Sequence, residues 1–196
     1  EPIAIHIKLD TGMHRLGFQE NDLEEWYQWF NDPDLTKYTR HGVFPNTLAK
    51  EREFMLSKQK DPNTLLLLSF RKKDNKLLGV ISLQNIDWVH RKAEYAMMMG
   101  TKPRQAKLVL ETVYLILKHG FENLNLNRIW AGSHEGLSYW IALEKKLGFK
   151  EEGRFRQELF KDGKYYDFIR VAILADDFFK MKPLFSADTT KSEDDL

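Results

Sequence analysis

Residues 65 to 100 read as three strands in succession, after which the chain switches to its strongest helical stripe. "LLLLSFRKK" and "LLGVISLQN", joined by Asp74-Asn75-Lys76, carry the apolar runs and the turn of a hairpin. "RKAEYAMMMG" alternates, with Ala93, Tyr95, Met97 and Met99 on one face and Glu94, Ala96, Met98 and Gly100 on the other. Pro103 then stands where proline opens a helix, and Ala106, Val109, Leu110, Val113, Leu117 and Phe121 recur at helical spacing. This is the strongest helical signal in the chain.

The flanks extend the pattern. Ile3 to Leu9 alternates as a strand. "NDLEEWYQWF" reads as a helix capped by Asn21, with Glu24 as the reciprocal partner and Leu23, Trp26, Tyr27 and Phe30 as its stripe; Pro33 ends it. A second helix follows Thr47 and runs to about Lys58, with Phe54 and Met55 facing inward. "NRIWAGS" is a short strand, 137 to 146 a helix that stops at Leu147-Gly148, and the last two strands flank an Asp162-Gly163 turn. The expected architecture is α/β with mixed α+β order: one central, mostly antiparallel sheet flanked by helices. Residues 1–18 form a separate N-terminal strand segment, 19–178 the domain, and 179–196 a polar, acidic tail whose composition predicts disorder.

Composition narrows the function. At 196 residues the chain is one ordinary domain. Its 30 basic and 29 acidic residues balance, which argues against nucleic acid and a membrane surface as partners. No apolar run approaches the ~18 residues of a membrane span. "EPIAIHIKL" lacks the basic start and long apolar centre of a signal peptide. Cysteine is absent, which excludes disulfides and a thiol nucleophile and fits a cytoplasmic setting. The six histidines form no ligand pair such as HxH or HExxH, so no metal is expected.

"WFNDPDLTKYT", "LLGVISLQNIDWVHRKAEYAMMMG" and "LEKKLGFKEEGRFRQELFKDGKYYDFIRVAIL" stand in an order that resembles the GNAT N-acetyltransferases, in the branch that includes ribosomal-protein and amino-sugar acetyltransferases. The resemblance covers roughly residues 19 to 178. It implies a fold whose fourth and fifth strands splay apart, acetyl-CoA as cosubstrate, and direct attack by a primary amine. That amine would be a protein N-terminus, an amino sugar or a small molecule, and the protein a monomer or homodimer. Met97, Met98, Met99 and Gly100 would then run beside the pantetheine arm. Glu94 matches an acidic position that polarises the amine in some relatives, with Asp87 the weaker alternative. Trp26, Tyr27, Trp29, Tyr38, Trp88, His41 and His90 could line the acceptor site, and Asp167 reads as structural first.

Two segments depart from the family pattern. "TKPRQAKLVLE" has no glycine after Gly100, although the family's glycines let backbone approach the pyrophosphate. Lys102, Arg104, Gln105, Ala106 and Lys107 occupy that loop and helix start. Either the side chains of Lys102, Arg104 and Lys107 hold the phosphates at the helix N-terminus, or the loop is degenerate and the domain is a binding or scaffold module. The second departure is "GSHEGLSYWIALEKKLGF", which lacks the usual Asn and puts Leu143-Glu144 in the usual tyrosine region. Tyr139 is the proton donor that remains, with Ser138 beside it. Separately, "HIKLDTGMHRLGF" (6–18) resembles an alanine racemase fragment, which leaves a pyridoxal-phosphate enzyme fragment as a remote alternative.

Overall fold

The computed structural model describes residues 5–8, 20–44, 46–100 and 106–187. Seven strands form one sheet: β1 (Ile5–Lys8), β2 (Leu65–Arg71), β3 (Lys76–Asp87), β4 (Lys92–Met99), β5 (Arg128–His134), β6 (Lys150–Lys161) and β7 (Lys164–Leu174). Their spatial order is β1-β2-β3-β4-β5-β7-β6. Every neighbouring pair is antiparallel except β4 and β5. The helices are α1 (Glu20–Asn31), α2 (Pro33–Thr36), α3 (Leu48–Lys60), α4 (Ala106–Lys118), α5 (Ser138–Lys146) and α6 (Ala175–Ala187), and a π-helical turn (His119–Asn123) extends α4.

Side-chain alternation sorts the strands into two cores. On one face Leu67, Ile81, Ala93 and Tyr95 pack with Val113, Ile116 and Leu117 of α4, Ile141 of α5 and Phe178 of α6. On the other, Leu68, Phe70 and Val80 pack with Leu23 and Trp26 of α1 and Met55 of α3. Each fully buried side chain of this size is worth roughly 1.5–3 kcal/mol. The buried hydroxyls of Ser69 on β2 and Thr112 on α4 satisfy each other at 2.8 Å, so the sheet-to-helix contact leaves neither stranded.

Several elements differ from the sequence reading. The first helix takes in Asn21, expected as its cap, and begins at Glu20. Pro33 ends that helix but opens another turn: Asp32 caps α2 by accepting the Asp34 N–H at 2.8 Å. Thr47 caps α3 as expected. Of the two side chains expected to face inward, Met55 is buried, and Phe54 is 45% exposed with its ring edge-on to the core Trp26. Past residue 178, where the domain was expected to end, α6 continues to Ala187 and buries Met181; residues 188–196 lie outside the described residues. Of the racemase-like stretch, His6, Ile7 and Lys8 belong to β1, paired with β2, and 9–18 lie outside the described residues. No helix among the described residues is long and apolar enough to cross a membrane.

Gly100 ends β4 against the ring of Trp29. A Cβ built there would fall 2.0 Å from Trp29 Cε2. Gly100→Ala is therefore expected to push the indole off the strand end and cost about 1–3 kcal/mol. Urea denaturation would read this directly, and an unchanged midpoint would show that the contact is slack.

Candidate active site

The parallel pair β4–β5 is short. Only Lys92, Ala93 and Glu94 register with Arg128, Ile129 and Trp130. Beyond Glu94, β4 continues through Met97, Met98 and Met99 along β3, while β5 continues through Gly132 and His134 along β7. The two strands part after Glu94 and Trp130.

The hydrogen-bond phase of β4 decides which amides face the gap. Gly100 donates to the Leu78 carbonyl on β3 at 2.9 Å. Antiparallel pairing alternates, so Met98 and Ala96 also turn toward β3, and Tyr95, Met97 and Met99 turn the other way. The Met97 and Met99 amides thus point into the gap, and no strand lies against them there among the described residues. Backbone donors in a cleft suit a carbonyl or an oxyanion. The expected backbone role of the Met-rich strand is therefore geometrically available. Met97 packs its side chain against the α4-side core.

One face of the sheet gathers the polar groups. Glu94 is in register with Trp130, and Trp130, Gly132 and His134 alternate onto the same side. Their β7 partners, Phe168 opposite His134 and Arg170 opposite Gly132, share that side. Arg170 lies over the Trp130 ring at 4.3 Å and the Phe155 ring at 4.6 Å. Glu94 is half-buried, and Asn85 donates to its Oε2 at 2.9 Å. Arg91, a possible ion-pair partner by sequence, instead holds the Asn125 carbonyl and side chain. Asp87 is occupied in the turn after β3, accepting the His90 N–H at 2.8 Å.

A cleft of about 230 Å³ opens on this face between the segment after α2 and the β6–β7 hairpin. Arg40, Val43, His134, Glu158, Phe160 and Lys161 are among its walls. Asp162 and Gly163 both take positive φ, which tightens the hairpin turn beside it. Of the aromatics expected here, Tyr38 meets the His134 ring edge-on, with centroids 5.1 Å apart. Trp26 is core, and Trp88 is exposed, donating to Asn63. Asp167 is structural: it pairs with Arg154 at 2.9 Å and accepts the Gln157 N–H.

The opposite face holds a feature that composition did not signal. Glu144 of α5 is 0% exposed and accepts the hydroxyl of the buried Tyr95. Among the described residues its Oε2 has no hydrogen-bond partner. Burial pushes the carboxyl up to about 7, against the hydrogen bonds of Tyr95 and Trp140. Burial, then the charge of Glu144, raises Tyr95 as well. The carboxyl therefore keeps its proton up to about pH 7. An acid at i+3 from Ile141 and i−3 from Leu147, on an apolar helix face, was the available clue.

Tyr139 sits in the first turn of α5 and is 60% exposed. In the phosphate segment, Ala106 is half-buried and Lys107 exposed at the start of α4; Lys102, Arg104 and Gln105 lie outside the described residues. No group of three or more His, Asp or Glu side chains that could hold a metal ion occurs among the described residues.

Comparison with known proteins gives this geometry a lineage. The family model for an acetyltransferase (GNAT) domain matches residues 16–150. A putative ribosomal N-acetyltransferase of Bacillus subtilis is 31% identical over 101 residues, 52% of this chain and 55% of that protein. A spermidine N(1)-acetyltransferase of Escherichia coli is 30% identical over 100 residues, 51% of this chain and 54% of that protein. The chain thus spans about half the length of these curated relatives. The fold is shared with the crystal structure of spermidine N-acetyltransferase from Vibrio cholerae in complex with CoA and spermine. The TM-score is 0.79 at 19% identity, covering 90% of this chain and 98% of that one.

Proposed function

This chain belongs to the GNAT acetyltransferase family, and from that premise we propose that it transfers an acetyl group from acetyl-CoA to a primary amine by direct attack. The observation that carries this reading is the gap after Glu94 and Trp130, with the Met97 and Met99 amides directed into it. An acyl carbonyl lying there would receive backbone N–H donors as negative charge develops on its oxygen. The pantetheine arm would follow Met97, Met98, Met99 and Gly100. Its phosphates would meet the 101–107 segment, where Lys102, Arg104 and Lys107 supply cations, with Gln105 and Ala106 between them. Glu94 takes the amine's proton, directly or through water. The proton for the departing thiolate has two candidate sources on α5. One is the Tyr139 hydroxyl; the other is the protonated Glu144–Tyr95 pair. Tyr139→Phe and Glu144→Gln separate them. A cytoplasmic setting and a small amine acceptor complete this reading.

Acetyl-CoA binding is the first test. A ligand that binds only the folded chain stabilises it by about 2.7 kcal/mol at a hundredfold excess over Kd. A rise in melting temperature with acetyl-CoA, followed by thiol release with primary amines, is the expected result. No stabilisation at millimolar acetyl-CoA would favour a scaffold role instead.

A further inference from the structure

The walls of the cleft beside His134 carry an excess of positive charge and of hydrogen-bond donors. Lys161 and Arg40 supply two cations against one carboxylate, Glu158. That carboxylate is already engaged by Arg40 at 3.2 Å. The Lys161 ammonium is fixed by backbone alone. It donates to the carbonyls of Thr36, Thr39 (3.2 Å) and His41 (2.9 Å). Carbonyl dipoles hold that cation in place without cancelling its charge.

His134 adds a neutral donor. It is 4% exposed, clasped between the rings of Tyr38 at 5.1 Å and Tyr166 at 4.4 Å. The Gly136 N–H donates to its Nδ1 at 2.8 Å, so Nδ1 is the acceptor nitrogen and the ring proton sits on Nε2. Protonating Nδ1 would set one N–H against another. Burial also favours the neutral ring, against the pull of Glu135, and the nearby Lys161 charge adds a smaller effect in the same direction as burial. Nε2 has no hydrogen-bond partner among the described residues, and His134 lines the cleft. Arg40 lies close by: its guanidinium sits 5.4 Å over the ring of Phe168, the residue opposite His134 across β5 and β7.

A polyamine offers this wall only more donors and more positive charge, which it repels. We infer that the amine acceptor carries an anionic oxygen group, a carboxylate or a phosphoryl, which His134 Nε2–H and Arg40 receive. The inference rests on the acetyl-transfer reading and narrows its substrate class. The same positive field favours the neutral, nucleophilic form of the acceptor's amine over its ammonium.

The test compares three primary amines on the full chain: β-alanine, aminoethyl phosphate and spermidine. Thiol release gives kcat/KM for each, and calorimetry gives binding of each without acetyl-CoA. One of the anionic amines is expected to exceed spermidine by about tenfold or more in kcat/KM and in affinity. Which of the two leads identifies the oxygen group. Arg40→Gln, at an exposed position, is expected to lower that preference about tenfold through KM. Spermidine matching or exceeding both anionic amines would overturn the inference, as would a preference unchanged in Arg40→Gln. If no amine is acetylated, the transfer reading fails. The binding arm then decides the inference separately: tighter binding of an anionic amine upholds it, and tighter binding of spermidine overturns it.

Discussion

Raising the pH from about 4.5 to above 7 is expected to destabilise the fold by roughly 3 kcal/mol through Glu144 alone, and Glu144→Gln is expected to remove that loss. The carboxyl is pushed from 4.5 up to about 7 by burial on α5, so between those values the folded chain holds a proton that the unfolded chain has released. Stability linked to this group is complete below 4.5 and falls as pH rises through about 7. At about 1.4 kcal/mol per pH unit, that interval gives the stated magnitude. Other groups act in the opposite sense. Burial holds His41, His119 and His134 below 6.5, so they favour the folded state as pH rises through that region. The raw profile mixes the two, and the difference between wild type and Glu144→Gln isolates the carboxyl. Gln keeps an oxygen for the Tyr95 hydroxyl and cannot ionise, so its curve lacks the falling limb. Parallel urea-denaturation profiles from pH 4 to 9 would show that the buried acid does not carry this linkage.

The sheet was legible because its strands declare themselves locally. β2 and β3 run apolar between turn residues and are buried on both faces, and β4 alternates and buries Ala93 and Tyr95 on one. The gap was legible only through family resemblance. Nothing in "RKAEYAMMMG" says that pairing with β5 stops at Glu94, because that depends on β5 turning away along β7. Short-range chemistry was under-read at α2, where Asp32-Pro33-Asp34 is both a stop and a capped start. Phe178 and Met181 lie three apart, a helical spacing that continues the core past the closing strand. The properties of Glu144, apart from its place on an apolar helix face, and of His134 were hidden for a different reason. The first owes its protonation to burial under the rest of the fold, against the hydrogen bond from Tyr95, 49 residues away, and the second its tautomer and packing to Gly136, Tyr38 and Tyr166. Long-range partners, not the residue types, set those properties.

Glu94→Gln is expected to lower kcat by about 10²-fold or more while leaving acetyl-CoA affinity within about twofold of wild type. Glu94 is the last β4 residue paired with β5 before the strands part, and its side chain shares a face with Trp130 and His134. Asn85 holds Oε2 at 2.9 Å, which fixes the carboxylate on a rigid strand instead of a mobile loop. Gln can accept the same bond from Asn85 Nδ2 and fill the same volume. The substitution therefore removes the basic oxygen and little else. Acetyl-CoA affinity should survive because the donors that face the gap belong to the Met97 and Met99 backbone. Single-turnover thiol release and calorimetry with acetyl-CoA separate the two quantities. Equal loss of both would mean that Glu94 supports the strand geometry and not proton transfer. An unchanged kcat would move the base elsewhere on the acceptor face, to a water held among its donors.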